Sequence, residues 1–325
     1  MRKRMGVLLV VLSAAGFMLA PARPAEAAAR KLTIGHVFAV DHPVHVALLE
    51  TKTRLEDKSG GKFTLEIFPN ATYANYKNAI QAVRMGALDM CPLDTAADYL
   101  EESGVMLGPY TFTNYDHWAR FKKSDVYREL KDKISDAVGV KQLAIYNFGF
   151  RNATGNKIYT KPADYERVKL RVVDFAPYPE IAVVLNAIPT PLPVGDIYMA
   201  LQTGVADAQE NPLTQIVTMK LYEVQKYVML TEHMLATSGT IMSKRCWDSL
   251  TPGEQALLED AFEFEADFID KMVVEKEQEL IEFCKKQGVE VLTVDKTPFI
   301  ERVPLVHKKY PAWIPLYNKI QDLLK

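Results

Sequence analysis

Thr251-Pro252-Gly253-Glu254 opens the longest periodic run in the chain. Threonine is a favoured N-cap, proline suits the first helical position, and a glutamate three residues on can bond back to the cap's own N–H. Apolar residues then recur at Leu257/Leu258, Ala261/Phe262, Phe268/Ile269, Met272/Val273, Leu280/Ile281 and Cys284, until Gly288. That spacing predicts one helix of about 37 residues, on the order of 55 Å at 1.5 Å per residue. No compact lobe of this chain is that long. Glu275 to Glu279 breaks the apolar stripe with charged residues and Gln278, which argues against a coiled-coil seam. The helix is therefore expected to be a spine shared by two lobes.

The rest of the chain fits two α/β lobes. Its 325 residues are 48% hydrophobic and 25% charged, ordinary globular composition with room for about two domains. Leu32 to Phe38 reads as a strand, followed by a helix from Pro43 whose inward face is expected at Val46, Leu49, Thr53 and Leu55. Gly60-Gly61 ends that helix, and Phe63 to Phe68 alternates as a second strand. A helix over about Asn75 to Met85 stops at Gly86, and Leu88 to Leu93 reads as a buried third strand. Strand, helix, strand, helix, strand marks a layered α/β unit. From about Lys141 a second unit begins, with strands expected at Leu143 to Tyr146, Lys157 to Tyr159 and Leu170 to Val173. A helix around Glu180 to Asn186 precedes Ile188 to Pro193, where three alternate prolines force an extended segment. Asp196 to Thr203 reads as a short helix closed by Gly204.

Ahead of these units, Arg2, Lys3 and Arg4 precede an apolar run from Val7 to Ala20, and Ala25-Glu26-Ala27 offers a small-x-small cleavage pattern. The run is too short to span a bilayer at about 20 residues, so residues 1–27 are expected to be a cleaved secretory signal peptide. Its loss removes Arg2, Lys3, Arg4, Arg23 and Glu26, taking the formal charge from −2 to −5. Neither value suggests a nucleic-acid partner. Cys91, Cys246 and Cys284 are an odd number for an oxidising compartment; buried thiols are expected, with a Cys246–Cys284 bridge as the alternative.

No Gly-x-Gly-x-x-Gly, Walker-type loop, His-Glu-x-x-His or Gly-x-Ser-x-Gly occurs, so an enzyme reading has no anchor. Asp41-His42-Pro43-Val44-His45 is the one metal-like cluster. A helix-capping role suits Asp41 or His42 better, since no third soft ligand is near. The charge distribution says more. Residues 151–171 carry six bases against two acids, whereas 172–219 carry five acids and no base. Arg171 sits at that boundary inside an apolar strand, where it serves either a surface acid or a specific anion. A guanidinium fork suits a carboxylate. Asn211, before Pro212, is either a turn residue or an amide donor to the same anion.

Gly149-Phe150-Arg151, Lys169-Leu170-Arg171-Val172 and the run from Ile197 to Pro212 (IYMALQTGVADAQENP) together resemble the solute-binding subunits of tripartite ATP-independent periplasmic (TRAP) transporters, the C4-dicarboxylate-binding type. The resemblance covers essentially the whole mature chain and implies a two-lobe periplasmic binding protein with a hinge and a lobe-spanning helix. Lobe I is then expected over 28–148 plus 237–276, and lobe II over 149–236 plus 277–325. It implies that Arg171 clamps a ligand carboxylate, with Arg151 as a second cationic contact and Asn211 as amide donor. It also implies closure of the lobes over an organic acid, delivery to TRAP permease subunits in the membrane, a monomeric state, and no metal or cofactor. Two stretches depart from the family pattern, Asn70 to Asn75 and Leu107 to Phe112. Both face the cleft in such proteins, so the far end of the ligand is expected to differ, with Phe38, Tyr73, Tyr76, Tyr110 and Phe175 as candidates for an aromatic wall. An exported enzyme using the same cleft and a metal-binding periplasmic protein are the competing readings.

Overall fold

The structure, a computed structural model, describes residues 29–325; the expected signal peptide lies outside the described residues. Among them, nine strands form one sheet: β1 (Arg30–Gly35), β2 (Phe63–Phe68), β3 (Met90–Pro92), β4 (Val140–Gly155), β5 (Lys169–Val172), β6 (Ile188–Pro191), β7 (Ala208–Pro212), β8 (Tyr227–Ser243) and β9 (Glu290–Thr293). The order is β2-β1-β3-β8-β4-β7-β5-β6, with β9 paired to β8.

Two lobes hang on one antiparallel ribbon. Strands β4 and β8 pair from Val140↔Ser243 to Gly155↔Tyr227. β3 joins β8 at one end of this ribbon, where Met90 faces Met242. β7 joins β4 at the other end, from Arg151↔Pro212 to Gly155↔Ala208, and β9 joins β8 there. The ribbon's register slips between Asn147 and Phe150 and again between Arg151 and Ala153. Gly149 lies in the first slip with φ +109°, a conformation other residues rarely adopt.

The first lobe follows the expected order, with β1 parallel to both β2 and β3 and helices Pro43–Lys58 and Tyr76–Met85 between. The inward face of its first helix is rotated from the expected one. Val44, Ala47, Leu48, Thr51 and Leu55 are buried, while Leu49 and Thr53 face solvent. Val44, Leu48, Thr51 and Leu55 keep the i, i+4, i+7, i+11 spacing; the expected set began two residues later. Lys157 to Tyr159 forms no strand and belongs to the turn leaving β4. Conversely, β4 is far longer than the expected Leu143 to Tyr146, and β8 carried no strand signal at all. Both are covered on both faces, so nearly every residue is buried and the period-two alternation that marks a half-exposed strand is erased.

The spine runs from Pro252 to Lys286, 35 residues, about 52 Å. Its capping box forms as expected: Thr251 Oγ1 accepts from Glu254 N–H, and Glu254 Oε2 accepts from Thr251 N–H. Leu258, Phe262, Ala266, Ile269 and Val273 share a core with Phe38, Tyr146 and Phe148 of the first lobe. Cys284 shares a different core with Ile197, Leu201, Ile216 and Leu221 of the second lobe. Midway, Asp270 Oδ1 accepts from both the backbone N–H and Nδ2 of Asn147 at 2.7 Å, tying the spine to the ribbon beside its slip.

After β9 the chain packs on both lobes. Arg302 donates to the Val183 and Val184 carbonyls of the second, while His117 Nε2 donates to the Ile320 carbonyl at 2.8 Å and Gln321 Nε2 bonds to the Thr111 carbonyl on the first. All three cysteines are free and buried, and Cys246 and Cys284 sit in different cores, so the alternative bridge does not form. Among the described residues no helix is long and apolar enough to cross a membrane.

Candidate functional site

A cavity of about 470 Å³ lies between the lobes, within the range typical of small-molecule sites. β7 places its polar centre. Asn211 lies on β7, flanked by Arg151 on β4 and Arg171 on β5, so three segments distant in sequence bring the expected anion-binding trio into adjacent strands.

Arg151 lines the cavity and is tightly held from behind. Its Nε and Nη2 donate to the two Glu210 carboxylate oxygens at 2.5 and 2.8 Å, and Nη2 also donates to the Glu210 carbonyl and to Asn211 Oδ1. The guanidinium stands 5.0 Å over the Tyr178 ring. Its Nη1 has no hydrogen-bond partner among the described residues. Burial opposes ionisation of Glu210, yet the attraction of Arg151 and hydrogen bonds from His233 and Arg151 outweigh it and hold the carboxyl down at about 2. His233 Nε2 donates to Glu210 Oε2 at 3.0 Å, and its Nδ1 accepts from the Thr231 hydroxyl. Burial lowers the His233 pKa, so a neutral imidazole fits this arrangement.

Arg171, the expected carboxylate clamp, stands behind the cavity wall. It is fully buried and does not line the cavity; its Nε and Nη2 donate to the Leu192 carbonyl at 3.0 and 2.5 Å. Its Nη1 is buried without a partner. Desolvation lowers its pKa to about 10, which leaves it charged at neutral pH. Asn211 lines the cavity, with Nδ2 donating to Gln209 Oε1 at 2.5 Å.

Of the expected aromatic wall, Phe38, Tyr76 and Phe175 line the cavity. Tyr110 does not: it is buried away from the cavity, with its hydroxyl donating to the Thr231 carbonyl. Tyr73 is also absent from the wall and bonds the Ala87 carbonyl. Tyr76 and Phe175 stack across the cleft, centroids 4.8 Å apart and planes 2° from parallel. Beside them Lys77 Nζ reaches both the carbonyl and the carboxylate of Asp174. Each pair joins a first-lobe helix to the segment after β5.

Several lining residues escaped sequence reasoning. Asp94, in the loop after β3, faces the cavity with an unpartnered Oδ1, and burial pushes its carboxyl up to about 6. Phe148, Tyr178 and Gln215 also line it, and only proximity in the fold singles them out. His42 caps the helix Pro43–Lys58, its Nδ1 accepting from Val44 N–H, as the sequence favoured. Among the described residues no three His, Cys, Asp or Glu side chains form a metal cage.

Residues 34–312 match the family model described as bacterial extracellular solute-binding protein, family 7. The chain is 29% identical over 270 residues to the sialic acid-binding periplasmic protein of Vibrio cholerae, covering 82% of this chain and 84% of that one. It superposes with a TM-score of 0.84 and 29% identity on a TRAP periplasmic solute-binding protein from a Bradyrhizobium species in complex with galacturonate, covering 90% of this chain and all of the other. A TRAP solute-binding protein from Bordetella, with density assigned to pantoate, gives a TM-score of 0.85 at 26% identity over 90% of this chain and 99% of its own. The family is periplasmic, and these relatives bind substrates rather than transform them. With its ribbon-linked lobes, spine helix and interlobe cavity, the chain belongs to family 7 of the bacterial extracellular solute-binding proteins, the binding subunits of TRAP transporters.

Proposed function

We propose that the chain captures an organic acid in the interlobe cavity through its two arginines and delivers it to TRAP permease subunits. One observation carries this reading: on the strands either side of β7, which holds Asn211, Arg151 lines the cavity and Arg171 keeps an Nη1 that is buried with no partner among the described residues. A buried guanidinium N–H without an acceptor is costly, and a carboxylate is the acceptor that also neutralises the charge. Glu210 cancels the charge of Arg151 and fixes its fork, so Arg151 orients the anion while Arg171 supplies the uncompensated positive charge.

Arg171 lies behind the cavity wall, which gives closure a physical role. Movement of the Leu192 to Gly195 segment, part of which lines the cavity, opens the path from ligand to Arg171. The ribbon slip at Gly149 and the spine are the hinge elements, with the lobes divided near residues 148/149, 236/237 and 276/277. Ligand stabilises the closed state only through contacts it makes there and not in the open one. The Tyr76–Phe175 stack and the Lys77–Asp174 bridge are contacts between the lobes themselves, to which the ligand's own contacts add. Of the relatives named above, one binds sialic acid, one holds galacturonate and one has density assigned to pantoate. All three are carboxylates, which supports the same ligand class here. The protein acts as a monomer in this scheme, without metal or cofactor.

A thermal-shift screen of sugar acids, dicarboxylates, aromatic acids and 2-oxo acids, followed by titration calorimetry, tests capture. At least one acid is expected to raise the midpoint and bind stoichiometrically. Turnover of the bound acid, or stabilisation by Zn²⁺ alone, would overturn the proposal.

A further inference from the structure

The first-lobe wall of the cavity contains a hydrogen-bond donor with nothing to donate to. His42 is 1% exposed yet lines the cavity, its ring stacked on Phe38 (centroids 4.4 Å, planes 16° apart) and set edge-on to Phe148. Its Nδ1 lies 3.2 Å from Val44 N, and an amide N–H can only donate. The lone pair is therefore on Nδ1 and the proton on Nε2. That Nε2 is buried without a partner. Burial, with a smaller contribution from His36, lowers the His42 pKa to about 3, so the ring stays neutral and this tautomer persists.

The remaining polar capacity in the buried part of the wall is small. Asn75 accepts from Asn78 N–H, Lys77 is bridged to Asp174, Arg151 is bridged to Glu210 and Asn211 bonds Gln209. Among the fully buried lining atoms without a partner, the donor on His42 is joined by two acceptors, Asp94 Oδ1 and Gln215 Oε1; the Asn70, Asn78 and Thr218 side chains lie at the more exposed edge of the cavity. Apolar side chains, among them Val37, Phe38, Phe148, Val173, Phe175 and Met219, cover much of the rest. A sugar acid carries a hydroxyl on nearly every carbon, and those set against these side chains would be buried against carbon, at a cost for each one left unpaired. A dicarboxylate fares no better, because the only other cationic residue of the wall, Lys77, is already bound by Asp174 and the facing Asp94 is itself acidic.

We infer that the ligand is a monocarboxylate with a largely apolar body and few hydroxyls, one of whose oxygens accepts from His42 Nε2–H. This rests on the proposed capture of an organic acid and narrows it to a sparsely hydroxylated class. His42 is then a specificity-determining residue: it rewards an oxygen at the first-lobe wall that a plain hydrocarbon tail lacks.

The test uses titration calorimetry on the mature protein with two matched pairs, 4-hydroxycinnamate against cinnamate and 4-hydroxypentanoate against pentanoate, alongside D-galacturonate, L-gulonate and succinate. In at least one pair the hydroxylated acid is expected to bind about tenfold tighter than its plain partner, the size of one neutral hydrogen bond in a dry site, and tighter than the sugar acids and succinate. That advantage is expected to vanish in His42→Phe. His42→Asn guards against misfolding, since asparagine preserves the helix cap but is too short to keep the donor in place. Equal binding within both pairs, survival of the advantage in both variants, or tightest binding of galacturonate, gulonate or succinate would overturn the inference while leaving acid capture intact. A folded wild-type protein that binds none of these or any acid in the broader screen overturns capture itself, and the inference with it.

Discussion

Arg151 and Glu210 are joined by a two-point ion pair, Nε to Oε2 at 2.5 Å and Nη2 to Oε1 at 2.8 Å, between residues that are both almost fully buried. The pair sits on neighbouring strands, with Ala153 rather than Arg151 directly opposite Glu210. The long arginine side chain therefore reaches diagonally to its acid while the residue still lines the cavity.

Removing one member strands the other. Arg151→Ala leaves the Glu210 carboxylate with only a neutral His233 donor, and a loss of about 3–5 kcal/mol of folding stability is expected. Chemical denaturation compares the variant with wild type. Arg151→Lys recovers only part of the loss, because an ammonium cannot reproduce the fork. An unchanged midpoint in both variants would show that the pair contributes nothing to the fold.

Arg171→Ala is expected to weaken ligand binding by at least about 100-fold, since it removes the one charge near Asn211 that no carboxylate among the described residues directly engages. Titration calorimetry with the acid selected by the screen reads this directly. Near-normal affinity would assign the carboxylate to Arg151 alone.

Closure rests in part on Tyr76, Lys77, Asp174 and Phe175. Phe175→Ala removes the stack across the cleft, and Lys77→Ala removes the exposed bridge beside it. The stacked pair is the larger contribution, about 0.5–1.5 kcal/mol beyond its burial, against about 0–1 kcal/mol for an exposed ion pair. Stopped-flow measurements should therefore show faster ligand release in Phe175→Ala, roughly three- to tenfold, and a smaller change in Lys77→Ala. A larger effect from Lys77 would reverse this ranking.

Glu265, on the spine, is fully buried with one oxygen accepting from the Thr240 hydroxyl and the other unpartnered. Burial raises its pKa to about 8. The unfolded chain loses this proton near pH 4.5, the folded one only near 8, so the folded state binds more protons across that window. Stability from this group is present below about pH 4.5 and is lost as pH rises toward 8, by up to about 1.4 kcal/mol per unit. Glu265→Gln should flatten that part of a stability-against-pH curve. A curve identical to wild type would mean that Glu265 is ionised in the fold.

The spine and its capping box were legible in sequence because capping is local and helical periodicity survives wherever one face is exposed. The helix cap at His42 was legible for the same reason. The first helix of lobe I shows the limit: Leu49 is apolar and in phase with Val46, yet neither neighbours nor core reach it. β8 shows a stronger limit, because complete burial removes the contrast that makes a strand visible.

The amino-acid sequence alone determined the α/β class, the spine that joins two lobes, and the arginine and asparagine motifs that carry the family resemblance. These depend on residues close together in the chain, whose spacing is preserved in the structure. Only the tertiary structure decided that Arg151 lines the cavity while Arg171 stands behind it, that Tyr110 turns away, and that His42, Asp94 and Gln215 line the cleft with one buried polar atom each left unpartnered. Strand register and the partners brought in from other elements settle which polar atoms are spent inside the protein, and neither is encoded in the spacing of any single segment.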